Sequence, residues 1–459
     1  MRITLVRFLV LPFLAIFGFS CGPEERPNIL LISLDTLRPD HTTPYGYGRD
    51  TSPFLAEFAR QGVVFENAFS QSPKTATSHM TIFTGLYPSV HGIENLSEEN
   101  RRLSKEIPTL ATLLSQAGYR TEAVTGGGNV SGELGFDRGF DVYSGSADAR
   151  DMFQQADGVL PRLAAAKEPF FVFLHTYEVH DPYVPDSEFA RLYTDPDYDG
   201  EIVSSQDELI ELAGGQEYWQ QYNAYWSRVD PTSTADAQHL RDLYDAEIRF
   251  TDELLAAFLE RLSDQGVLEN TIVVVLSDHG EEFFEHGSVL HNTLYQEVLQ
   301  VPLVWRLPAN LGVEQGRRVR EIVRLIDVKP TLLELAGVKT PGHLQGRSLV
   351  PLMRGEKQES RPVFSERIKD EKRFAIQVGH WKYIRHGGGE ELYDLSQDPG
   401  EQTDVAALNE PILRDLRHRA GQLVQWNEGL AQELQHGEAF ELDQETRDQL
   451  EALGYLGQP

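Results

Sequence analysis

The sequence predicts an α/β fold: a mostly parallel central sheet sandwiched by helices, followed by a small C-terminal antiparallel sheet with a helix. Two runs, 28–34 and 271–277, are apolar, rich in β-branched residues and bounded by polar turn residues. Such runs are typical of strands buried on both faces of a parallel sheet. The length of 459 residues suits one large α/β domain and a smaller C-terminal unit.

The N-terminus has the pattern of an export signal. Two arginines precede an apolar stretch at 8–19, which is too short for a membrane span. The single cysteine, Cys21, follows at the expected cleavage point. Residues 1–20 therefore resemble a bacterial lipoprotein signal peptide, with Cys21 lipidated and 21–27 as a tether. We expect a periplasmic or cell-surface lipoprotein anchored to the membrane by its lipid; the alternative is a soluble exported protein cleaved nearby.

Each of the two predicted core strands ends in a potential metal ligand. Asp35 follows the first run, and Asp278 and His279 follow the second. The carboxyl ends of strands in an open α/β sheet are where ligands gather. We therefore expect these three side chains to converge although they are far apart in sequence. The alternative for 278–280 is an ordinary strand-end turn, where Asp-x-Gly is common.

A series of short motifs follows in a specific order along the chain, although most of them are weak individually. The matching segments are 28–35, 75–88, 91–92, 135–140, 175–183, 277–282, 285–287, 301–303, 327–333, 344–349 and 391–395. On these motifs the chain resembles the sulfatase family of the alkaline phosphatase superfamily over residues 28 to about 405. The resemblance implies a sulfatase-like catalytic domain at 28–340, followed by a C-terminal subdomain and helical tail at 341–459.

The family's nucleophile motif aligns on Thr75. Members carry Cys or Ser, any residue, then Pro-Ser-Arg, with Thr-Gly nine residues after the nucleophile. Here the Thr-Gly pair at 84–85 leads back to Thr75, with Thr77 and His79 in the proline and arginine positions. A threonine cannot be oxidised to the aldehyde that a typical sulfatase uses, so Thr75 must attack directly, which favours phosphorus over sulfur. The alternative role of Thr75 is a helix N-cap.

The resemblance also implies a divalent metal held by Asp35, Thr75, Asp278 and His279. This mixed oxygen and nitrogen set suits Zn or Mn better than the all-oxygen shell that Ca prefers, and all three ions remain open. Family members usually place a second Asp after the first, where this chain has Thr36. We expect one metal site and leave a second one open.

Three histidines are predicted to act in catalysis beside Thr75. His180, in a His-Asp-Pro-Tyr motif, stands where the family keeps a histidine near the leaving group, which it would protonate. His291 matches a position where many relatives carry a lysine that grips the substrate anion, and an imidazole can do the same. His79 would orient the nucleophile. A partly exposed loop histidine is the alternative for His291.

Three further residues are predicted to bind substrate. His175, five residues before His180, has simple packing as its alternative, and His286 has a partly exposed loop position as its alternative. Many sulfatases carry Gly-Lys-Trp-His in a segment where this chain has Gly-Gly-Gly-Asn, ending at Asn129. Asn129 and the glycine amides could donate hydrogen bonds to an oxyanion, although this anion-binding shell is thinner than usual.

The net charge and an aromatic insertion indicate which kinds of ligand the protein binds. A net charge of −30 argues against nucleic acid. Residues 186–240 form an acidic, aromatic insertion whose rings could stack on a sugar or lipid headgroup of a small ester substrate. Packing of these rings on the core is the favoured alternative. The rings are Tyr218, Trp219, Tyr222, Tyr225 and Trp226.

The predicted function is metal-dependent hydrolysis of a sulfuric or phosphoric ester, with phosphate mono- or diesters preferred over sulfate esters. Two alternatives are transfer of a phosphoryl group to a lipid or glycan headgroup, and a non-catalytic surface-binding protein on a sulfatase scaffold. The altered nucleophile motif motivates the second alternative. We favour the enzyme because the four predicted metal ligands form a coherent set.

Overall fold

The structure, a computed structural model, describes residues 26–97, 100–146, 148–215, 218–369, 373–434 and 437–440. The predicted signal peptide at 1–20 and the lipidated Cys21 lie outside the described residues, as does the end of the helical tail. None of the helices in the described part of the chain combines the length and apolar character that crossing a membrane needs.

Strands and helices alternate along most of the chain. The strands are β1 Asn28–Leu34, β2 Val63–Phe69, β3 Asn100–Arg101, β4 Arg120–Thr125, β5 Val142–Gly145, β6 Phe170–Thr176, β7 Thr271–Leu276, β8 Glu282–Phe283, β9 Val289–Leu290, β10 Gln300–Val301, β11 Leu303–Arg306, β12 Arg317–Arg324, β13 Val363–Arg367, β14 Arg373–Val378, β15 Trp381–His386, β16 Gly389–Asp394 and β17 Ala439–Phe440. The α-helices are α1 Pro53–Arg60, α2 Thr75–Thr84, α3 Pro88–His91, α4 Leu110–Gln116, α5 Ala149–Ala164, α6 Ser187–Tyr193, α7 Gln206–Ala213, α8 Tyr218–Trp226, α9 Thr234–Asp264, α10 Gln296–Leu299, α11 Val328–Leu335, α12 Val350–Met353 and α13 Glu410–Leu434.

The central sheet is mostly parallel, which confirms the predicted fold class. Its middle strands β7, β1, β6, β4 and β5 run side by side in one direction, whereas β11 and β10 pair antiparallel to β2. Strand β1 lies between β6 and β7, so that Ser33 is opposite both His175 and Leu276. The carboxyl ends of these three strands therefore meet at one edge of the sheet.

Helices cover both faces of this sheet because its strands are apolar on both sides. On β1, Ile29 and Leu31 belong to one hydrophobic cluster, which includes residues of α2, α4 and α11. Leu30 and Ile32 belong to the opposite cluster, which includes residues of α1, α5 and α9. All four side chains are almost completely buried. The sheet therefore provides a rigid base for the polar residues at its edge.

The C-terminal region contains an antiparallel sheet in the order β13-β14-β15-β16, followed by α13. This sheet confirms the small C-terminal antiparallel sheet that the sequence predicts. Phe364 on β13, Ile376 on β14 and Leu413 on α13 belong to the same hydrophobic cluster as Ile29 of β1. The division between 28–340 and 341–459 stays a prediction, because the two regions share a continuous core.

The insertion at 186–240 forms helices α6, α7 and α8, which precede the long helix α9. Tyr225 is fully buried within the α9-side cluster, and Trp226 donates its indole N–H to the Asp181 carboxylate at 2.9 Å. These two rings are therefore occupied by packing and hydrogen bonding. The predicted alternative of core packing describes them better than a stacking surface for a ligand.

We predict that Phe83→Ala lowers the free energy of unfolding by about 3–5 kcal/mol, because it removes a large ring from a close-packed core. Phe83, on α2, packs edge-on against Phe136 and Phe173, at 5.8 and 4.9 Å between ring centroids. Urea denaturation measures the change, and Phe83→Leu should cost less. A cost below about 1 kcal/mol for the alanine variant would show that this cluster does not anchor α2.

Candidate active site

Helix α2 places Thr75 at the site as its first residue. Thr75 is fully buried, and its Oγ1 lies 3.2 Å from Nε2 of His279. The other ring nitrogen of His279, Nδ1, lies 3.1 Å from the Gly280 carbonyl, to which it donates. This leaves the Nε2 lone pair facing the Thr75 hydroxyl. The amino end of a helix also favours negative charge on a side chain located there.

Asp35 and Asp278 meet His279 at the edge formed by β1 and β7. The His279 Nε2 atom is 3.2 Å from an Asp278 oxygen and 3.8 Å from Asp35 Oδ1. One ligand atom from each of the three residues lies within 4.8 Å of the others. Asp35 Oδ1 and both carboxylate oxygens of Asp278 are buried without a hydrogen-bond partner among the described residues. Buried, unsatisfied acceptors that face one another fit a bound cation.

Burial governs the charges at this edge. It raises the pKa of Asp278 well above its usual value, and the nearby Asp35 carboxylate adds to the rise. Burial also acts to raise the pKa of Asp35, but the hydrogen bond from His175 and the proximity of His279 outweigh it, so that this pKa lies below its usual range. Burial lowers the pKa of His279 to about 4 and that of His79 to about 3. Both rings are therefore neutral near pH 7.

His79 and His175 hold Thr75 and Asp35 in position through hydrogen bonds. One turn after Thr75, His79 donates from Nδ1 to the Thr75 carbonyl at 2.8 Å, while its Nε2 accepts from the Ser33 hydroxyl at 2.9 Å. His175, at the end of β6, donates from Nε2 to Asp35 at 3.1 Å. His79 thus holds the backbone of the predicted nucleophile, and His175 holds a predicted metal ligand.

Thr36 adopts a left-handed backbone conformation, with a φ of 56°. Its hydroxyl donates to the Val179 carbonyl at 3.0 Å. The side chain that replaces the family's second aspartate is therefore engaged with the loop after β6 rather than with the group of possible ligands.

His291 and His180 extend the group towards solvent. The His291 ring lies 4.4 Å from that of His279 and 5.1 Å from that of His180, measured between centroids. His291 Nδ1 is 3.3 Å from Glu281 Oε1. His180 lines a cavity of about 680 Å³, which Tyr177 also lines. The cavity therefore reaches the group at His180.

Two predicted substrate-binding residues are placed differently. His286 stacks on Tyr295 with 3.6 Å between ring centroids, and its Nε2 lies 3.4 Å from Glu297. Asn129 is fully buried and its side-chain oxygen accepts from the Leu96 amide at 2.8 Å. The structure thus gives His286 other partners and uses the Asn129 oxygen in a loop. A role in substrate binding stays a prediction for both.

Sequence reasoning missed three residues that act on this site: Ser33, Glu281 and Lys74. Ser33 orients His79, and Glu281 contacts His291. Burial is the main cause of the lowered pKa of His279 and His291, and the charge of Lys74 adds to it. The position of Lys74 directly before Thr75 was a usable signal. Ser33 and Glu281 required the strand register and the loop path.

Comparison with known proteins identifies the family. The family described as Sulfatase matches residues 27–338, and the one described as N-sulphoglucosamine sulphohydrolase, C-terminal, matches residues 284–425. The chain belongs to the sulfatase family. The predicted family and the prediction of a sulfatase-like ester hydrolase are both confirmed. Enzymes of the sulfatase family are metal-dependent, and the group at Asp35, Asp278 and His279 is a possible metal site.

Individual sulfatases resemble the chain over most of its length. It is 27% identical to the Delta 4,5-hexuronate-2-O-sulfatase of Bacteroides thetaiotaomicron, with 86% of this chain and 87% of that protein covered. It is 26% identical to arylsulfatase K of Gallus gallus, with 83% of this chain and 79% of that protein covered.

Solved structures share the fold of this sulfatase-family chain. One, in complex with its substrate D-glucosamine-2-N,6-O-disulfate, has a TM-score of 0.73 at 21% identity and covers 88% of this chain and 98% of its own. The phosphonate monoester hydrolase of Agrobacterium radiobacter has a TM-score of 0.68 at 19% identity and covers 91% of this chain and 100% of its own. At these identities the likeness bears on the fold alone.

We predict that Ser33→Ala destabilises the protein by about 1–3 kcal/mol, because it leaves Nε2 of the buried His79 without its donor. Urea denaturation measures the effect. Ser263→Ala, an exposed position on α9, is the matched control and should change stability by less than about 0.5 kcal/mol. Equal effects of the two substitutions would mean that Ser33 does not hold His79.

Proposed function

We propose that this sulfatase-family chain hydrolyses its ester through direct attack by Thr75, and that it prefers phosphate mono- or diesters to sulfate esters. The observation that carries the proposal is the 3.2 Å contact between Thr75 Oγ1 and His279 Nε2, beside the unsatisfied carboxylates of Asp35 and Asp278. Loss of function on a retained scaffold would not be expected to keep a hydroxyl, an imidazole and two carboxylates directed at one point.

The donor set supports a divalent cation held by Asp35, Asp278 and His279, with Thr75 beside it. Such a cation, when bound, lowers the pKa of a nearby hydroxyl and stabilises negative charge on the ester oxygens. One imidazole nitrogen with carboxylate oxygens favours Zn or Mn over Ca. The orientation of His279 supports this role, because its Nδ1 is engaged by the Gly280 carbonyl and Nε2 faces inward.

The reaction then proceeds in two steps. Thr75 Oγ1, having released its proton to water, forms a bond to phosphorus while the bond from phosphorus to the leaving alcohol oxygen breaks. His180, which lines the cavity, is positioned to give that oxygen a proton. In the second step a water molecule attacks the phosphothreonine, releases the phosphate group and restores the threonine. A sulfated threonine has no equally easy exit, which is the basis of the proposed preference.

Cations near Thr75 support an anionic ester as substrate. Lys74 precedes Thr75 and donates to the Asn292 side chain at 2.7 Å, and Arg367 donates to the Asn292 carbonyl at 2.6 Å. Their charges stand beside His291 in a protein that is strongly acidic overall. The named substrates of the relatives above, a sulfated hexuronate and a glucosamine disulfate, favour an ester carried on a sugar. We propose the same carrier here.

We further propose that the catalytic region is exported. The relatives from bacteria support this in general terms. Lipidation at Cys21 and the periplasmic or surface location rest on the sequence pattern of residues 1–21 alone.

Thr75→Ala is predicted to lower turnover of phosphate esters by roughly 10³-fold or more, because it removes the attacking oxygen. Thr75→Ser, which keeps a hydroxyl, should retain much of the activity. Thr84→Ala, at the other end of α2, is the matched control. The measurement is turnover of paired aryl sulfate, phosphate monoester, phosphodiester and phosphonate substrates by the purified chain.

Two results would contradict parts of this proposal separately. Full turnover by a folded Thr75→Ala variant would exclude Thr75 as the nucleophile. A wild-type chain that turned over the sulfate ester faster than every phosphorus ester, with loss in Thr75→Ala, would keep the nucleophile and reverse the ester preference.

Removal of divalent metal is predicted to abolish turnover and to lower the melting temperature, because the cation binds the folded state only. Ligand at 100 times its Kd adds about 2.7 kcal/mol to stability. Addition of Zn or Mn to the chelated chain should restore both properties, and Asp278→Asn should lose the activity that the metal restores. Turnover that persists after exhaustive chelation, with no metal left by mass spectrometry, would contradict metal dependence.

A further inference from the structure

A second group of possible metal ligands lies outside the active site, where three separate segments meet. His286 is in the turn of the β8–β9 hairpin, Glu297 is in α10, and Glu401 is in the turn that follows β16. One ligand atom from each residue lies within 4.8 Å of the others. The three side chains are 8%, 11% and 0% exposed, respectively. The group therefore joins the hairpin to the C-terminal sheet.

Two of the three ligand atoms of this group lack hydrogen bonds. His286 Nε2 and Glu297 Oε2 are buried and have no hydrogen-bond partner among the described residues, whereas the buried Glu401 Oε1 is ion-paired with Lys382. They are the atoms that face one another, with His286 Nε2 at 3.4 Å from Glu297 Oε2. Leaving buried polar atoms unsatisfied is costly, so two of them facing each other beside the Glu401 carboxylate fit a bound cation.

Other contacts hold these side chains in position. The His286 ring is stacked on Tyr295 at an interplanar angle of 12°. Glu401 accepts from the Gln296 amide at 2.6 Å through its second oxygen, so that Oε1 faces Lys382 and the group. Glu401 also has a φ of 53°, which is unfavourable for a residue other than glycine. The surrounding structure thus maintains a strained backbone that keeps this carboxylate in place.

Lys382 partly compensates the charge of the group. Its Nζ is 2.7 Å from Glu401 Oε1 and 3.3 Å from Gln296 Oε1. Two carboxylates and one ammonium leave one negative charge when His286 is neutral, so a divalent cation would be accommodated without a large excess of charge. Lys382 can meanwhile remain hydrogen-bonded to Gln296.

We propose that His286, Glu297 and Glu401 form a second divalent-cation site, suited to Zn or Mn. A nitrogen and two carboxylate oxygens match the ligands of these ions. Bonds of about 2.0–2.2 Å at tetrahedral angles separate ligand atoms by roughly 3.3–3.6 Å, which includes the 3.4 Å between His286 Nε2 and Glu297 Oε2. A cavity of about 520 Å³, which Glu297 and Gly400 line, provides an entry path.

The cation would fix the loop that carries part of the active site. The β8–β9 hairpin begins three residues after His279 and ends directly before His291. A cation bound by both His286 and Glu401 would tie the turn of this hairpin to the C-terminal sheet. The second site therefore stabilises the spacing of His279 and His291, and its existence does not depend on the chemistry of Thr75.

Metal content tests the proposal without an activity assay. The purified full chain is stripped, reloaded with Zn, desalted and analysed by mass spectrometry for zinc per chain. We expect about two zinc ions in the wild type and about one in Asp278→Asn, which keeps the hairpin site. The double variant His286→Ala, Glu297→Gln should also hold about one. The matched control His380→Ala, Glu314→Gln, at exposed positions, should hold two.

A second measurement avoids any substitution in the hairpin. In the Asp278→Asn chain, Zn should slow hydrogen exchange of the amides in residues 284–290. One zinc ion in the wild type with none in Asp278→Asn, or unchanged exchange in the hairpin, would overturn the second site. One zinc ion in the wild type that is kept in Asp278→Asn and lost in the His286→Ala, Glu297→Gln variant would contradict the active-site metal of the proposed function and leave this inference standing.

Discussion

The candidate active site depends on the burial of two carboxylates, Asp35 and Asp278, at the ends of neighbouring parallel strands. Both are fully buried, and three of their four oxygens have no hydrogen-bond partner within the described residues. An unpaired buried charge is among the most costly features a fold can contain. The apolar strands β1 and β7 nevertheless bring the two together, because their pairing aligns the strand ends.

The histidines around this pair do not supply the missing positive charge. Burial lowers the pKa of His79, His279 and His291, so these rings are neutral near pH 7. His175 stabilises one oxygen of Asp35 by donating to it, but the remaining oxygens face inward. A proton on Asp278 is one way to reduce the repulsion, as the raised pKa of this residue indicates. A divalent cation compensates both carboxylates at once, and neutral imidazoles are then available as ligands and hydrogen-bond partners.

The sequence predicted the core strands well, but it did not predict several contacts of the side chains around the site. The run at 28–34 matches β1, and 271–277 matches β7 within one residue, because continuous apolar β-branched runs have few other structures available to them. The approach of Asp35 to Asp278 followed from strand polarity alone. Ser33 and Glu281 could not be found in this way, since their contacts depend on strand register and on a loop. His286 shows the same limit: a histidine seven residues after His279 joins a different group because the hairpin carries it away.

The C-terminal sheet contributes to the active-site edge rather than standing beside it. Its first strand, β13, supplies Ser365, which donates to the Ser70 carbonyl ahead of α2, and Arg367, which donates to the Asn292 carbonyl after His291. Glu366, between them, accepts from the amide and hydroxyl of Ser89. These contacts bind the segments before and after α2 and the loop after His291 to one strand. The two sheets also share one hydrophobic core, which connects them in the interior of the protein. The position of Thr75 relative to His279 is therefore a property of both regions, and a chain divided near residue 340 would lose part of what holds them.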